Sequence, residues 1–494
     1  MSNAVKTYCL IFFLFFVTWC YFFQGGSWGV NSRICLLQAL LQQQTFSIDA
    51  YKEDSVDPEF SFVNTGDWSF KDGHYYSNKA PGLTFMALVP FGITKQVIKR
   101  IYPQNIEKQI FISTYVSTIF TTGLCSALLC LLIFYLLNNF FQLNIKQSIW
   151  LTLFYGFGTL GFSYSTTLYS HIPAAFFGFF SFVCILILKH TINPHSKKLG
   201  FLAGFSASTA VLIEPSTVFV LGFLFIYLAS FAKGRSQLLM FCVGCVPPAC
   251  LQFINNFACF GNPLASGYNY SNPAVMFSHN GKLFGVPNPI NVLRILFLPD
   301  RGLFTSSPVL LMTIPGCLIF IKSKKWRAEA LFCLAVTGSF LLFIISYYAW
   351  HHASTPGPRY LLPILPFMFL LSVFAIKKMP RLFSLLGLIS IVINLAITLV
   401  GNEVDHDMAN PLRDFVLKNI LDGNVSVNRV PFSNFSAYPS IYKLNTLDCP
   451  PNFSSFNLGE FIFPHQITSI LPLFIFWILW WVLWKKTILS KKNE

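Results

Sequence analysis

Long apolar runs recur along the whole chain and restrict it to a membrane-embedded fold. Ten of these runs approach the length that a helix needs to cross a bilayer, which is about 20 residues. They cover residues 8–23, 110–137, 149–165, 172–188, 238–257, 303–321, 330–348, 360–376, 382–400 and 467–484. Only 11% of the 494 residues are charged, whereas a soluble domain carries about 25%. The sequence therefore predicts an all-α integral membrane protein.

One further apolar stretch, residues 199–232, is long for one span and short for two. It is interrupted by the triplet Glu214-Pro215-Ser216. Because proline ends or kinks a helix, we expect two short helices that turn at Glu214. With this pair the chain has about 12 transmembrane helices in a single polytopic domain, residues 1–494.

The positions of lysine and arginine predict the orientation in the membrane. With a cytoplasmic N-terminus, every short basic cluster between spans falls on the cytoplasmic side, as the positive-inside rule requires. These clusters are Lys146; Lys189, Lys197 and Lys198; Lys233 and Arg235; Lys322, Lys324, Lys325 and Arg327; Lys377, Lys378 and Arg381; and the tail lysines. We expect an uncleaved first span, cytoplasmic termini and a bacterial inner (plasma) membrane.

Three long segments then face outward: residues 24–93, 258–302 and 401–466. The basic stretch "KQVIKR", residues 95–100, would also lie outside, and the apolar run before it is too short to span comfortably. We therefore expect residues 81–102 to form a helix in or near the outer interface. A true span there is the main alternative, and it would change the topology.

The formal net charge of +15 does not indicate nucleic-acid binding. The basic residues lie in short clusters between apolar runs and not on one basic face. No glycine-rich nucleotide-binding motif is present either. The expected partners are membrane lipids and a ligand at the outer face.

Polar residues are concentrated in the outward segments, as in "DGHYYSNKAPG", residues 72–82. Arg301 and Arg359 stand at the outer ends of spans, where positive charge is disfavoured. Each lies beside Pro or Gly on a constrained turn. An anionic partner would account for them, although a single arginine can also reach lipid phosphates by snorkelling.

Several outward stretches resemble the C-type (GT-C) glycosyltransferases, whose relatives include 4-amino-arabinose lipid A transferases and protein O-mannosyltransferases. The first loop of that family has an acidic-x-Arg element and an aromatic-x-x-Lys-Pro-like turn. The corresponding stretches here are "VNSR", residues 30–33, and "YYSNKAPG", residues 75–82. The stretches "FGNPLASGY", "LPDRGLFTSSPVLL", "GPRYLLPILPF" and "NLGEF" are similar to those of uncharacterised bacterial members.

The resemblance implies a GT-C-like fold and transfer of a sugar from a polyprenyl-phosphate donor to an extracytoplasmic glycan, lipid or protein. In such enzymes lysine and arginine hold the phosphate, and an aspartate of the first loop is the general base. It assigns the phosphate to Lys79, with helper arginines. The substrate-contacting candidates are Arg33, Tyr75, Tyr76, Lys79, Glu214, Arg301 and Arg359.

The chain departs from the family at two acidic positions. Val30 and Asn31 stand where the first acidic pair is expected, and His171 stands where a later span usually starts with aspartate. The base must then be found among other residues. The candidates are Asp49, Asp67, Asp72 and His171.

Asp49 ranks first among these candidates because it follows an apolar stretch that a helix could anchor near the interface. His171 titrates near neutrality, but a lone histidine at a helix start is more often a structural hydrogen-bonding residue. His351 and His352 could hold a divalent ion, but no ligand spacing supports a site. The cofactor requirement stays open.

Two other functions fit parts of the sequence. A transporter or flippase of a lipid-linked or small solute would need ionisable residues deep in the spans. A catalytically inactive GT-C-like scaffold would explain the missing acidic pair.

Overall fold

The computed structural model describes residues 3–25, 27–51, 65–191, 195–231, 235–272, 284–347, 355–404, 408–427, 455–463 and 466–490. These residues are mostly helical. The helices are α1 (Asn3–Tyr21), α2 (Trp28–Gln38), α3 (Gly82–Ile101), α4 (Ile106–Phe140), α5 (Ile145–Gly156), α6 (Gly161–Tyr164), α7 (His171–His190), α8 (Ser196–Ile213), α9 (Val218–Ala229), α10 (Arg235–Phe260), α11 (Ile290–Phe297), α12 (Leu303–Ser306), α13 (Thr313–Lys322), α14 (Arg327–Ser346), α15 (Arg359–Lys378), α16 (Pro380–Val400), α17 (Lys418–Leu421) and α18 (Leu471–Ser490).

Four short strands form two antiparallel pairs. Strand β1 (Phe22–Phe23) pairs with β4 (Phe456–Asn457), and β2 (Trp68–Lys71) forms a hairpin with β3 (His74–Ser77). The hairpin turn is Asp72-Gly73, in which both residues have positive φ, 51° and 86°. Two-residue turns of this kind match the twist of the strands, and glycine adopts positive φ without strain. The hairpin therefore forms where the sequence places Asp-Gly between aromatic residues.

Seven described helices are long and apolar enough to cross a membrane by length and composition. They are α4, α7, α10, α14, α15, α16 and the segment Ile467–Thr487. Shorter apolar helices cover Val5–Tyr21, Pro215–Ala229 and Pro308–Lys322. The predicted all-α integral membrane fold is thus confirmed, whereas the count of about 12 spans is not.

Two of the expected spans are interrupted helices. Residues 149–165 divide between α5 and α6, and the backbone N–H of Leu160 at the break donates to the Ser307 hydroxyl, 3.0 Å away. Residues 303–321 divide between α12, a 3₁₀ turn that begins at Pro308, and α13. The apolar composition predicted where both segments lie in the sequence. It does not predict the breaks, where a polar group from another part of the chain replaces a helical hydrogen bond.

The predicted turn at Glu214 is confirmed. Helix α8 ends at Ile213, a 3₁₀ turn covers Pro215–Thr217, and α9 follows. Thr217 caps this turn by donating its hydroxyl to the Glu214 carbonyl, 2.8 Å away. The proline breaks the helix, and Glu214 is held at the break.

Helix α3 is a continuous helix outside the group of seven, and it packs along the first half of α4. Helix α4 runs antiparallel to α1: its Gly123 lies against Trp19 near the end of α1, and its Phe134 packs edge-on against Tyr8 near the start. The 35 residues of α4 therefore extend beyond the end of α1. Helix α3 packs against that extension, and its position in the outer interface stays a prediction.

The helix ends divide into two sets. Helix α7 runs from His171 to Lys189 and His190, and α15 runs from Arg359 to Lys377 and Lys378. We call these the site end and the basic end of the bundle. Which of them faces the cytoplasm stays a prediction from the positive-inside rule.

At the basic end, a buried carboxylate joins three helices. Glu329 of α14 is fully buried and accepts hydrogen bonds from Lys189 of α7, at 2.7 Å, and from the Tyr227 hydroxyl of α9, at 2.6 Å. His190 lies 3.2 Å from the same oxygen. These contacts all go to Oε1 and join the three helices, whereas Oε2 is buried and accepts no hydrogen bond from the described residues.

Lys189→Met is expected to destabilise the bundle by about 3 kcal/mol, because it leaves the Glu329 carboxylate buried without its countercharge. The midpoint of thermal unfolding in detergent measures the change. In the double variant Lys189→Met/Glu329→Leu no buried charge is left, and most of the stability should return. A single variant as stable as the wild type would contradict this role for the pair.

Candidate functional site

The β2–β3 hairpin and the start of α3 position Lys79. The chain leaves β3 at Ser77 and reaches α3 through a short turn that contains Lys79. Gly82, the first residue of α3, lies so close to α8 that a Cβ atom there would be 2.7 Å from the backbone of Leu212. Glycine is needed at this close approach. The contact places the Lys79 turn beside the Glu214 turn.

Lys79 forms an ion pair with Asp67 across the hairpin. The distance from Lys79 Nζ to Asp67 Oδ2 is 2.9 Å, and the two side chains are only 19% and 22% exposed. Ser32 of α2 donates its hydroxyl to the Asp67 carbonyl, 2.7 Å away. The Asp67 N–H donates to the Thr65 hydroxyl at 3.0 Å. These two hydrogen bonds fix the backbone of Asp67 and therefore restrict the position of its carboxylate.

Gly29 lies where α2 meets this ion pair. A Cβ atom at Gly29 would be 3.6 Å from both Arg33 Nη1 and Asp67 Oδ2, and 3.2 Å from the Tyr169 ring. Arg33, Asp67 and Tyr169, from three parts of the chain, thus converge at Gly29, where no side chain separates them.

Arg33 is buried and extends from α2 toward the loop before α7. Its Nη1 donates to the Gly29 carbonyl at 2.6 Å, and its Nη2 donates to the Ser170 hydroxyl at 3.2 Å. Burial lowers the pKa of Arg33, and the nearby Glu214 and Tyr169 oppose that shift. An arginine side chain is not deprotonated in proteins, so the guanidinium is a cation at neutral pH.

Glu214 completes this side of the site. It accepts a hydrogen bond from Ser170 at 2.7 Å, and its Oε2 lies 3.2 Å from His171 Nδ1. Burial raises its pKa, but the contacts with His171, Ser170 and Arg33 outweigh that effect and lower it. Glu214 is therefore an ionised partner for the cations around it.

Tyr169 connects this group to half-buried Arg359 and to buried Glu403. The Tyr169 hydroxyl lies 2.5 Å from Glu403 Oε1, and Arg359 Nη1 donates to the same hydroxyl at 3.3 Å. Sequence reasoning did not select Glu403. The available signal was an acidic residue directly after a long apolar run at the predicted outer side, in "GNEVD".

Glu403 is a buried acid with an unusual titration. Burial raises its pKa from 4.5 to about 7, an effect that Arg359 and Tyr169 reduce and Asp67 reinforces. Between pH 4.5 and about pH 7, the Glu403 carboxyl group is therefore protonated in the folded protein and ionised in the unfolded chain. Stability from this group is present at low pH and is lost as pH rises toward 7.

We expect the unfolding midpoint of the wild type to fall more steeply than that of Glu403→Gln as pH rises from 4.5 to about 7. The corresponding free energy is about 3 kcal/mol, since the shift exceeds two pKa units. Thermal unfolding at a series of pH values in one detergent measures it. Parallel curves for the two proteins would show that Glu403 does not titrate in this way.

The other predicted residues lie outside this cluster. Asp49 accepts hydrogen bonds from the Tyr75 N–H at 2.6 Å and from His74 Nδ1 at 2.7 Å. Burial raises its pKa, but these bonds and Ser47 lower it overall. Asp72 is exposed in the hairpin turn and pairs with Lys71 at 3.1 Å. Asp49 thus stabilises the hairpin by its hydrogen bonds to β3.

The aromatic candidates and Arg301 make packing and backbone contacts. Tyr75 packs edge-on against Trp68, and Tyr76 packs against Phe260 of α10. Arg301 donates to the carbonyl oxygens of Asp300, at 2.7 Å, and Met408, at 3.2 Å. The structure therefore brings together Arg33, Asp67, Lys79, His171, Glu214 and Arg359, and not the others.

No group of three His, Cys, Asp or Glu side chains that could hold a metal ion occurs among the described residues. His351 and His352 lie outside the described ranges.

Comparison with known proteins found no matching family model and no matching curated relative. Among solved structures, ArnT from Cupriavidus metallidurans bound to undecaprenyl phosphate aligns at 11% identity with a TM-score of 0.47, over 80% of this chain and 63% of that one. The apo Archaeoglobus fulgidus oligosaccharyltransferase aligns at 12% identity with a TM-score of 0.45, over 80% and 54%. The chain spans less than two thirds of the length of either protein.

Proposed function

We propose that this protein is a membrane glycosyltransferase that moves a sugar from a polyprenyl-phosphate donor to an acceptor on the extracytoplasmic side. The observation that supports the proposal most is the Asp67–Lys79 ion pair beside buried Arg33. A potential base and two cations thus meet at the site end. The basic clusters lie at the opposite end, which the positive-inside rule assigns to the cytoplasm.

Lys79 and Arg33 are the proposed phosphate ligands. As the sugar leaves its carrier, negative charge accumulates on the lipid phosphate. Fixed cations in a site with little water stabilise that charge more than water would. Arg359, held by Tyr169, supplies a third cation nearby.

Asp67 is the proposed general base. The acceptor hydroxyl attacks the anomeric carbon of the sugar, and the bond from that carbon to the phosphate oxygen breaks. The hydroxyl proton passes to the Asp67 carboxylate, and the polyprenyl phosphate keeps the bonding electrons. Only Oδ2 of Asp67 pairs with Lys79, and Oδ1 accepts no hydrogen bond from the described residues. Oδ1 is therefore the oxygen proposed to take the proton, because a general base must lie within hydrogen-bond reach of the proton that it removes.

The positions of the other three candidates favour Asp67 as the general base. Asp49 and Asp72 are engaged in the hairpin, away from Lys79. His171 is buried, and its Nδ1 lies 3.2 Å from Glu214 Oε2. Asp67 alone of the four contacts a proposed phosphate ligand.

The distribution of charge disfavours the transporter alternative. In the seven candidate spans, charged residues lie in the first or last turns, as do Lys189 in α7 and Arg359 in α15. Transporters usually place ionisable residues near the midplane.

The direct test uses purified protein in lipid with polyprenyl phosphate that carries a labelled sugar. Transfer of the label, with release of the polyprenyl phosphate, is the expected result. Movement of unchanged solute into proteoliposomes, without covalent transfer, would favour transport. Lipid binding without transfer would favour an inactive scaffold.

A further inference from the structure

A cavity of about 220 Å³ has Lys79 in its wall. Its walls are the turn that carries Lys79, the last two turns of α10, and the segment that follows α10 up to Tyr268. It is smaller than the pockets that take drug-sized ligands, which are about 300–1,000 Å³. Its size suits a single compact group attached to something that extends outside it.

Carboxamides dominate the polar part of the cavity wall. Gln252, Asn255 and Asn256 lie on one face of α10, three and four residues apart, and Asn78 faces them from the Lys79 turn. Gln252 donates to the Asn256 side chain at 2.8 Å, and Asn256 donates to the Pro263 carbonyl at 3.0 Å. Asn256 is therefore satisfied within the protein.

The other carboxamides have unused hydrogen-bonding capacity. Asn78 Oδ1 and Gln252 Oε1 are buried and accept no hydrogen bond within the described part of the chain. Asn255, which is 7% exposed, lines the same cavity. A buried polar group without a hydrogen bond is costly in free energy. The two such groups in this cavity indicate a ligand that satisfies them.

The cavity borders the cationic cluster through Tyr268. Burial and the nearby Glu214 and Tyr360 raise the pKa of Tyr268, and Asp67 and Arg33 also act on it. Lys79 itself lies in the cavity wall and contacts Asp67. A ligand with its phosphate at Lys79 would thus place the attached group among the carboxamides.

We propose that this cavity binds the glycosyl group of the donor and that the group is an uncharged, hydroxyl-rich sugar. The proposal rests on the proposed function. A carboxamide both donates and accepts hydrogen bonds, as a sugar hydroxyl does. An amino sugar would require a carboxylate, and a sugar acid would require a cation. Lys79 is the one charged residue in the described cavity wall, and it is paired with Asp67.

The test compares Asn255→Leu with Asn138→Leu, since leucine resembles asparagine in size and removes the carboxamide. Asn138 lies in α4 at the basic end, so its variant controls for the substitution itself. The ligands are bare polyprenyl phosphate and the same lipid carrying a neutral hexose (glucose, mannose or galactose), an amino sugar or a hexuronic acid. Equilibrium binding to purified protein in detergent is measured.

At least one neutral-hexose lipid is expected to bind the wild type about tenfold tighter than the bare lipid phosphate, which corresponds to about 1.4 kcal/mol. Asn255→Leu should abolish that difference and leave affinity for the bare lipid unchanged, whereas Asn138→Leu should retain it. Equal affinity of the wild type for bare and glycosylated lipids, or tightest binding of the charged sugars, would overturn the inference alone. Failure to bind any of the lipid phosphates would instead reject the proposed function.

Discussion

Asp67→Asn is expected to lower the rate of sugar transfer about 10²- to 10⁴-fold, the range that general base catalysis contributes. The amide can still accept a hydrogen bond from Lys79, so the site keeps its geometry. Without the negative charge of Asp67, Lys79 stays fully available to a phosphate. We therefore expect donor affinity to be retained or increased while kcat falls.

The matched control is Asp72→Asn, the same change in an exposed aspartate that pairs with a lysine on the same hairpin. It should leave kcat within about twofold, because a surface ion pair contributes little. Single-turnover rates with saturating labelled donor separate chemistry from binding. An Asp67→Asn protein with wild-type kcat would exclude Asp67 as the base. A large loss from Asp49→Asn, with the hairpin intact, would move the role to Asp49.

Lys79→Ala is expected to lower the rate of sugar transfer about 10²- to 10³-fold, the typical loss when one charge-stabilising group is removed from a catalytic site. The loss should appear in donor affinity as well as in kcat, because the phosphate is charged before and after transfer. It would also leave Asp67 without the countercharge that lies 2.9 Å away. Lys79→Arg retains a positive charge and should recover part of both quantities.

Lys71→Ala is the appropriate comparison, since Lys71 also forms an ion pair with an aspartate, at 3.1 Å, but is 32% exposed and lies at the far end of the hairpin. It is expected to bind donor like the wild type. If Lys79→Ala and the wild type bind and transfer the labelled donor alike, Lys79 has no role with the phosphate. Circular dichroism and thermal unfolding of each variant exclude a general loss of structure.

The helical part of the fold could be predicted because each helix follows from a local property. The apolar runs predicted the long helices, and the proline after Glu214 predicted the break between α8 and α9. The same reasoning treated residues 149–165 as one span. There the helix ends at Gly156, and the N–H of Leu160 in the break donates to a side chain 147 positions away, Ser307.

The choice among candidate bases could not be made from sequence. Asp49, Asp67 and Asp72 lie within 24 positions of one another in one polar loop. Their differences arise when the hairpin folds: Asp49 is used by the backbone of β3, Asp72 forms the turn, and Asp67 faces Lys79. Asp49 was ranked first for its proximity to an apolar stretch, which carries no information about hydrogen-bond partners.

Sequence alone determined that this chain is a helical membrane protein whose polar residues of interest lie at the predicted outer ends of the spans. These conclusions follow from local hydrophobicity and charge, which act over a few residues. Only the tertiary structure decided which polar groups meet. Tyr169 and Glu403 are 234 positions apart, and the carboxamides of α10 face Asn78 across a cavity. Packing of distant segments creates such contacts, and no local pattern records them.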